Sequence, residues 1–337
     1  MKQGGGLVLR ILFVLSFIFF SVFKVVAEAK SDGAQTSEKL DQLGATPTNS
    51  IPGADQIDNL ITNKNLRALS GSTSRWSIAS QFNYNGGNLQ SPLAEDRPNI
   101  ADASGTTTKA DLDGALWVKY NLDLNNSLMA GFGIRWIAPL AKGGPTNYDG
   151  TTFDAINPEI QYQRIYKFLG VQAVLQASLM QWTQADQTAH GYGQQLNVDQ
   201  ENMYEFGETG LSIGASTWAQ YQLFNKTGSF GNPTNSDDFI PDLAAIQSVY
   251  AINISPILEF EITEKIIFRT VLGLWQYEHY RSENSAFNFS RDKVYQSVGV
   301  GFSVTRDIFL NPNIQFLPDD IRDTATNVGL GATINMF

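Results

Sequence analysis

From Trp76 onward the chain alternates apolar and polar positions with a period of two, the repeat of a β-strand whose two faces meet unlike surroundings. Trp76, Ile78, Ser80, Phe82 and Tyr84 share one face. Leu112, Gly114, Leu116, Val118 and Tyr120 share the next, with Asp111, Asp113, Trp117 and Lys119 opposite. A turn at Asp123-Leu124-Asn125-Asn126 leads to Leu128, Ala130, Phe132, Ile134 and Trp136, opposite Gly131, Gly133 and Arg135. Ile160, Tyr162 and Tyr166 stand against Glu159, Gln161 and Gln163, and a tight turn near Phe168 joins them to Val171, Ala173, Leu175, Ala177 and Leu179. The pattern recurs through Leu211–Gln222, Tyr250–Glu261, Ile266–Leu274 and Val294–Val304, and Thr305-Arg306-Asp307 turns into Ile308–Leu317. A last run through Val328, Leu330, Ala332, Ile334 and Met336 ends at Phe337.

One face of these runs is apolar. The other carries Gly, Ser, Gln, Asn and charge, which fits lipid outside and water inside. A soluble sandwich alternates too, but with shorter strands and a surface richer in Lys and Glu. Many runs here reach ~10 residues, the length a tilted transmembrane strand needs. Short turns alternate with long loops at about Gly86–Thr108, Ala138–Ala155 and Thr183–Gly207. The fold class is therefore all-β, a transmembrane antiparallel up-and-down β-barrel over 75–337. Counting forward from Trp76 puts Asp123 in a periplasmic turn, and counting back from Phe337 does the same for Lys265. The two counts clash between Gln184 and Leu243, and the even strand number of such barrels gives about twelve strands, with ten as the alternative.

Residues 1–29 read as a signal peptide. Lys2 and Arg10 precede an apolar run from Ile11 to Val26 that Lys24 interrupts, and small residues follow at Ala27 and Ala29. The run is shorter than the ~20 residues of a spanning helix. Residues 30–74 are polar, with no period-two signal. They read as a periplasmic extension, with a plug folded into the lumen as the alternative. Ile57, Leu60 and Ile61 could share a helical face, but Leu66 and Leu69 fall off it.

The absence of cysteine means that backbone pairing and packing must hold a secreted chain together. Cleavage after Ala27 would remove Lys2, Arg10 and Lys24 and take the formal charge from −10 to −13, which argues against nucleic acid as a partner.

The leader, the alternating strands, the aromatic rims (Tyr84 and Trp136 at the outer end, Trp76, Tyr120, Tyr166, Phe260 and Phe268 at the periplasmic end) and the terminal Phe337 together resemble the porin-like outer-membrane channel proteins of Gram-negative bacteria. The resemblance is architectural, covers about Arg75 onward and matches no particular subfamily. It departs from the family at its end, where Phe337 is one step out of phase with Ile334 and Met336. It implies residence in the bacterial outer membrane, contact with outer-membrane lipid, recognition by the barrel assembly machinery and passive passage of small hydrophilic solutes. A homo-oligomer is left open.

By alternation Lys119, Arg135, Glu159, Glu259, Glu261 and Arg269 face the lumen as pore-lining residues. Such charges set an ion preference, or else pair across the lumen and brace it. Trp117, Trp182, Trp218 and Trp275 also read as inward, filling space or offering a sugar slide. The alternative to a channel is a closed structural or surface-binding barrel acting through its outer loops. A rim hydrolase is a weaker fit. Only His190 and His279 are available as bases, and neither sits in the His-x-Ser-Asn run of phospholipase-like barrels. Asp237-Asp238 and Asp319-Asp320 are adjacent carboxylates of the kind usually found solvated in loops. The reading is non-enzymatic, with no cofactor and no structural zinc site.

Overall fold

The computed structural model describes residues 54–98, 100, 107–140, 152–226, 247–273, 275–283, 290–291 and 294–336. The Asp237-Asp238 pair and Phe337 lie outside them.

Twelve antiparallel strands close on themselves. They are β1 (Trp76–Asn85), β2 (Asp111–Asn121), β3 (Asn126–Ile137), β4 (Phe153–Phe168), β5 (Val171–Gln181) and β6 (Tyr192–Glu205). Then follow β7 (Leu211–Phe224), β8 (Ser248–Thr263), β9 in two segments (Ile266–Gly273 and Trp275–Tyr280), β10 (Tyr295–Thr305), β11 (Ile308–Phe316) and β12 (Thr326–Met336). Each strand pairs with its sequence neighbours, and β12 returns to β1 in the register Ile78↔Met336 to Asn85↔Gly329. Closure gives each of the twelve strands a partner on both sides, the condition for a β-structure to stand in hydrocarbon.

The strand count resolves the clash between Gln184 and Leu243. The sequence reading made Thr183–Gly207 a loop, whereas Tyr192–Glu205 is a full strand, in register with β5 from Val171↔Tyr204 to Gln181↔Gln194. This strand places Gln194, Gln200 and Asn202 among its outward positions, so only Leu196, Val198 and Tyr204 signal the apolar face. Polarity on both faces erased the alternation that identified the other strands.

Connections at one end are short, as at Leu169-Gly170 between β4 and β5, where both residues take positive φ. At the other end they are long. Short turns face the periplasm in such barrels, so the chain preceding β1 enters from the periplasmic end.

The turn between β2 and β3 owes its shape to Asp123. Its carboxylate accepts from the Asn125 and Asn126 backbone N–H groups at 2.8 and 2.9 Å and from the Asn126 amide at 2.9 Å. The Asn126 side chain, chiefly, and these N–H groups hold the Asp123 carboxyl below its ordinary value. A depressed folded-state value means that the contribution is present above the unfolded carboxyl value of ~3.9 and is lost as pH falls through the folded one. Asp123→Ala is expected to cost about 0.5–1 kcal/mol near pH 7 and less at acid pH, readable by urea unfolding in detergent micelles.

The outward face is apolar. Val118, Leu128, Phe132, Ile160, Val198, Ile213, Ile252 and Phe302 are all exposed on it. Aromatic side chains gather towards the strand ends. Trp76 packs on Tyr120 at 4.5 Å with Arg75 over the Tyr120 ring, and Trp136 meets Phe153 edge-on at 6.4 Å.

Among the described residues two helices precede β1. They are α1 (Ala54–Leu60) and α2 (Lys64–Ser70). Asn63 separates them. It has extended φ and ψ, and its side chain accepts from the Leu66 N–H, which caps α2. Leu66 and Leu69 fail to share a face with Ile57 because they belong to a second helix.

Candidate functional site

The inward faces obey the polar rule only in part. Near the short turns Ile165, Val174, Met203 and Ile257 point inward and form an apolar socket. Ile57, Ile61 and Leu66 fill it, with Ile61 and Leu66 fully buried. Beside them Ala68 packs on Ile267 and Phe309. Each such aliphatic side chain contributes ~1.5–3 kcal/mol when it leaves water. Residues 57–74 thus lie against the lumen wall, and residues 30–53 lie outside the described residues.

Polar contacts tie this segment to many strands. Gln172 of β5 accepts from the Thr62 and Asn63 N–H groups at 2.7 and 2.9 Å. Asn63 donates to Glu259 of β8 and Asn65 to Glu201 of β6, both at 2.6 Å. Gln163 of β4 donates to the Leu69 carbonyl at 2.9 Å, and Asn335 of β12 to the Ala68 carbonyl at 2.8 Å. Asn121 of β2 donates to the Ser72 and Ser74 carbonyls at 3.0 and 2.6 Å. Arg306, in the turn before β11, bridges Asp58 at 2.8 Å and the Gly71 carbonyl at 2.7 Å. The Leu69 carbonyl at the end of α2 is thereby taken up by the wall, and the Ala68 carbonyl, which also accepts from the Gly71 N–H at 3.1 Å, gains a second donor. Gly71 has φ of 81°, and a Cβ there would meet Lys119 Nζ at 2.6 Å, so only glycine fits.

The six charged residues read as pore-lining divide into two groups. Lys119 is buried and donates to the Ser70 carbonyl and, at 2.7 Å, to Gln163 Oε1. Arg269 is buried between Glu259 and Glu201, reaching the latter at 3.0 Å. Glu261 pairs with Lys64 of α2 at 2.8 Å. These four, Lys119, Glu259, Glu261 and Arg269, therefore engage the N-terminal segment or each other. Arg135 and Glu159 instead line open space nearer the long loops. A cavity of about 420 Å³ is bordered by Asp111, Asp113, Arg135, Glu159 and Trp182, among others. A second, of about 310 Å³, lies directly on α2 and is bordered by Leu69, Glu159, Asp199 and Glu201.

Trp117 is buried against Ala79 and Met129 and donates its indole N–H to Glu159. Trp182 donates to Gln222 at 2.9 Å. Both fill space and hold neighbours. Trp218 stands opposite Asp199 across β6 and β7. The backbone of Trp275 pairs with that of Ile254, and its side chain lies outside the described residues.

His279 is buried, stacks on Tyr250 at 4.7 Å and meets Glu283 at 2.9 Å. Asp320 pairs with Arg322 at 2.6 Å. Among the described residues no group of three or more His, Cys, Asp or Glu is placed to hold a metal ion.

The residues that sequence reasoning missed are the neutral clamps Gln163, Gln172, Asn121 and Asn335, together with Arg306. A signal for them existed in the inward Ile165, Val174, Met203, Ile257, Ile267 and Phe309. Apolar side chains on a face that should meet water ask for something to cover them.

A closed barrel with an apolar outer face and a polar interior is an outer-membrane protein. The sequence matches no protein-family model, and no curated protein matches it either. Solved structures resemble it in fold. An outer-membrane channel from Pseudomonas putida F1 aligns at 10% identity and a TM-score of 0.46, over 79% of this chain and 98% of that one. The NanC porin aligns at 7% identity and 0.38, over 77% and 98%. The translocator domain of the autotransporter NalP from Neisseria meningitidis aligns at 7% identity and 0.38, over 79% and 89%.

Proposed function

We propose that the protein is a non-enzymatic outer-membrane channel through which small hydrophilic solutes or ions pass passively, narrowed at its periplasmic end by its own residues 57–74. The observation that carries this reading is the division of the lumen. Its periplasmic part is filled by an N-terminal segment hydrogen-bonded to the wall, and its outer part holds cavities of about 310 and 420 Å³ bordered by charged side chains. The mechanism is hydrated passage along a charged wall, with no covalent step.

Planar-bilayer recording of the mature protein tests it. Small, stable current steps are expected from the full chain. Deletion of residues 54–70 is expected to raise the step size several-fold, roughly as the freed cross-section grows. Heat-dependent gel migration, which reports closed barrels, checks that both variants have folded. Silence from both folded proteins would remove the channel reading. The alternative would then stand, a closed barrel acting through its outer loops, and the bound segment is the feature that favours it.

A further inference from the structure

The charges that remain open to the lumen are of one sign where the path meets the N-terminal segment. Among the described residues, the cavity resting on Leu69 of α2 is bordered by three carboxylates, Glu159, Asp199 and Glu201, and by no Lys, Arg or His. Glu201 is offset by Arg269 at 3.0 Å. Glu159 and Asp199 are not. Trp117 donates to the first and Asn197 to the second, and both donors are neutral. The cations of this region are used elsewhere. Lys119 is turned into the Ser70 carbonyl, Arg306 holds Asp58, and Lys64 holds Glu261. Nearer the long loops the wall carries both signs, since Arg97 and Arg135 each lie 3.9 Å from Asp111.

A second observation marks the acidic cavity as a place for a polar occupant. Gln161 on its wall is more than nine-tenths buried, and its Nε2 makes no hydrogen bond to the described residues. A buried amide donor calls for an oxygen to receive it. Gln161 shares this wall with Glu159 and Asp199. A wet constriction with fixed negative charge concentrates cations and repels anions.

We infer that the solutes of this channel are small cations, selected by Glu159 and Asp199 just outside the N-terminal segment. The inference rests on the channel reading. It narrows the expectation drawn from alternation alone, in which Glu259 and Glu261 line the pore together with Glu159. Those two are held by Arg269 and Lys64.

The test is a reversal potential in a ~10-fold KCl gradient, with the dilute side near 0.1 M, where the screening length is still about 10 Å. The folded full chain is expected to favour K⁺ over Cl⁻ by ~3-fold or more. Glu159→Gln combined with Asp199→Asn is expected to lower that ratio at least ~2-fold with the step size nearly kept, because charge is removed without loss of volume. Gln at position 159 still accepts from the Trp117 indole, and heat-dependent gel migration confirms that the variant has folded. Steps with no preference, or with preference for Cl⁻, overturn the inference and leave the channel reading intact. A ratio unmoved in the double variant overturns the assignment to these two residues. Silence from the folded protein overturns the channel reading and this inference together.

Discussion

Replacing Arg269 with Met is expected to lower the unfolding free energy of the barrel by ~3–5 kcal/mol, the cost of leaving buried charge without its partner. The guanidinium lies between Glu259 of β8 and Glu201 of β6, and all three side chains are at most partly exposed. The same carboxylates receive the amides of Asn63 and Asn65 at 2.6 Å. Without the cation, two negative groups would face each other with only neutral donors. The strain would reach the N-terminal segment, because its asparagines are bound to those oxygens. Met approximates the volume of the Arg stem, so packing is largely kept and the measured loss is electrostatic. A triple variant, Glu201→Gln, Glu259→Gln and Arg269→Met, carries no net charge at the trio and is expected to recover more than half of the loss. Urea unfolding in phospholipid vesicles, followed by tryptophan fluorescence, measures both. A single variant within ~0.5 kcal/mol of the parent, as an exposed pair would give, means that lumen water solvates the trio and that the packing described here is wrong.

The barrel was legible in the sequence wherever the two faces of a strand meet different media. β2 and β3 show this best, since every outward position from Leu112 to Tyr120 and from Leu128 to Trp136 is apolar or glycine. β6 was lost because Gln194, Gln200 and Asn202 occupy outward positions and leave no contrast to read. The strand number itself came from the requirement that the count be even, which marked the region where β6 lies as holding either one strand more or one fewer than the alternation gave. The division of the lumen was hidden for a different reason. Alternation assigns a side chain to a face but says nothing of what stands in front of it. Glu259 and Glu159 are equivalent by that rule, yet one is covered by the Asn63 amide and Arg269 while the other faces open space. The decisive residues are those where the rule is broken. Inward Ile165, Val174, Met203 and Ile257 cluster on strands that meet near the short turns, which is where a segment entering from the periplasm would first touch the wall. The segment itself carries the matching pattern, Ile57, Ile61 and Leu66 among polar residues. Its two seven-residue helices are too short to stand alone in water, so their shape depends on the socket.

The outer face supports the second large prediction. Phe132 lies mid-strand in β3, opposite Leu116 of β2, with its ring exposed. In a bilayer this position meets hydrocarbon. Phe132→Arg is therefore expected to cost ~2–4 kcal/mol in lipid vesicles, the range for a cation near the midplane of a barrel. The matching substitution on the other face is Ser216→Arg on β7, which borders the acidic cavity beside Glu201. There the new charge stands in water near carboxylates, and the change is expected to stay within about 1 kcal/mol of the parent. The contrast between faces matters more than either value, because it cancels the intrinsic cost of placing Arg in a strand. In detergent, where the belt around the barrel is thinner and better hydrated, the Phe132→Arg penalty should shrink while the Ser216→Arg value holds. Equal penalties on the two faces, or a larger one at Ser216, would mean that the apolar face of the strands is not the one in lipid. The assignment of inside and outside on which the lumen charges depend would then fall.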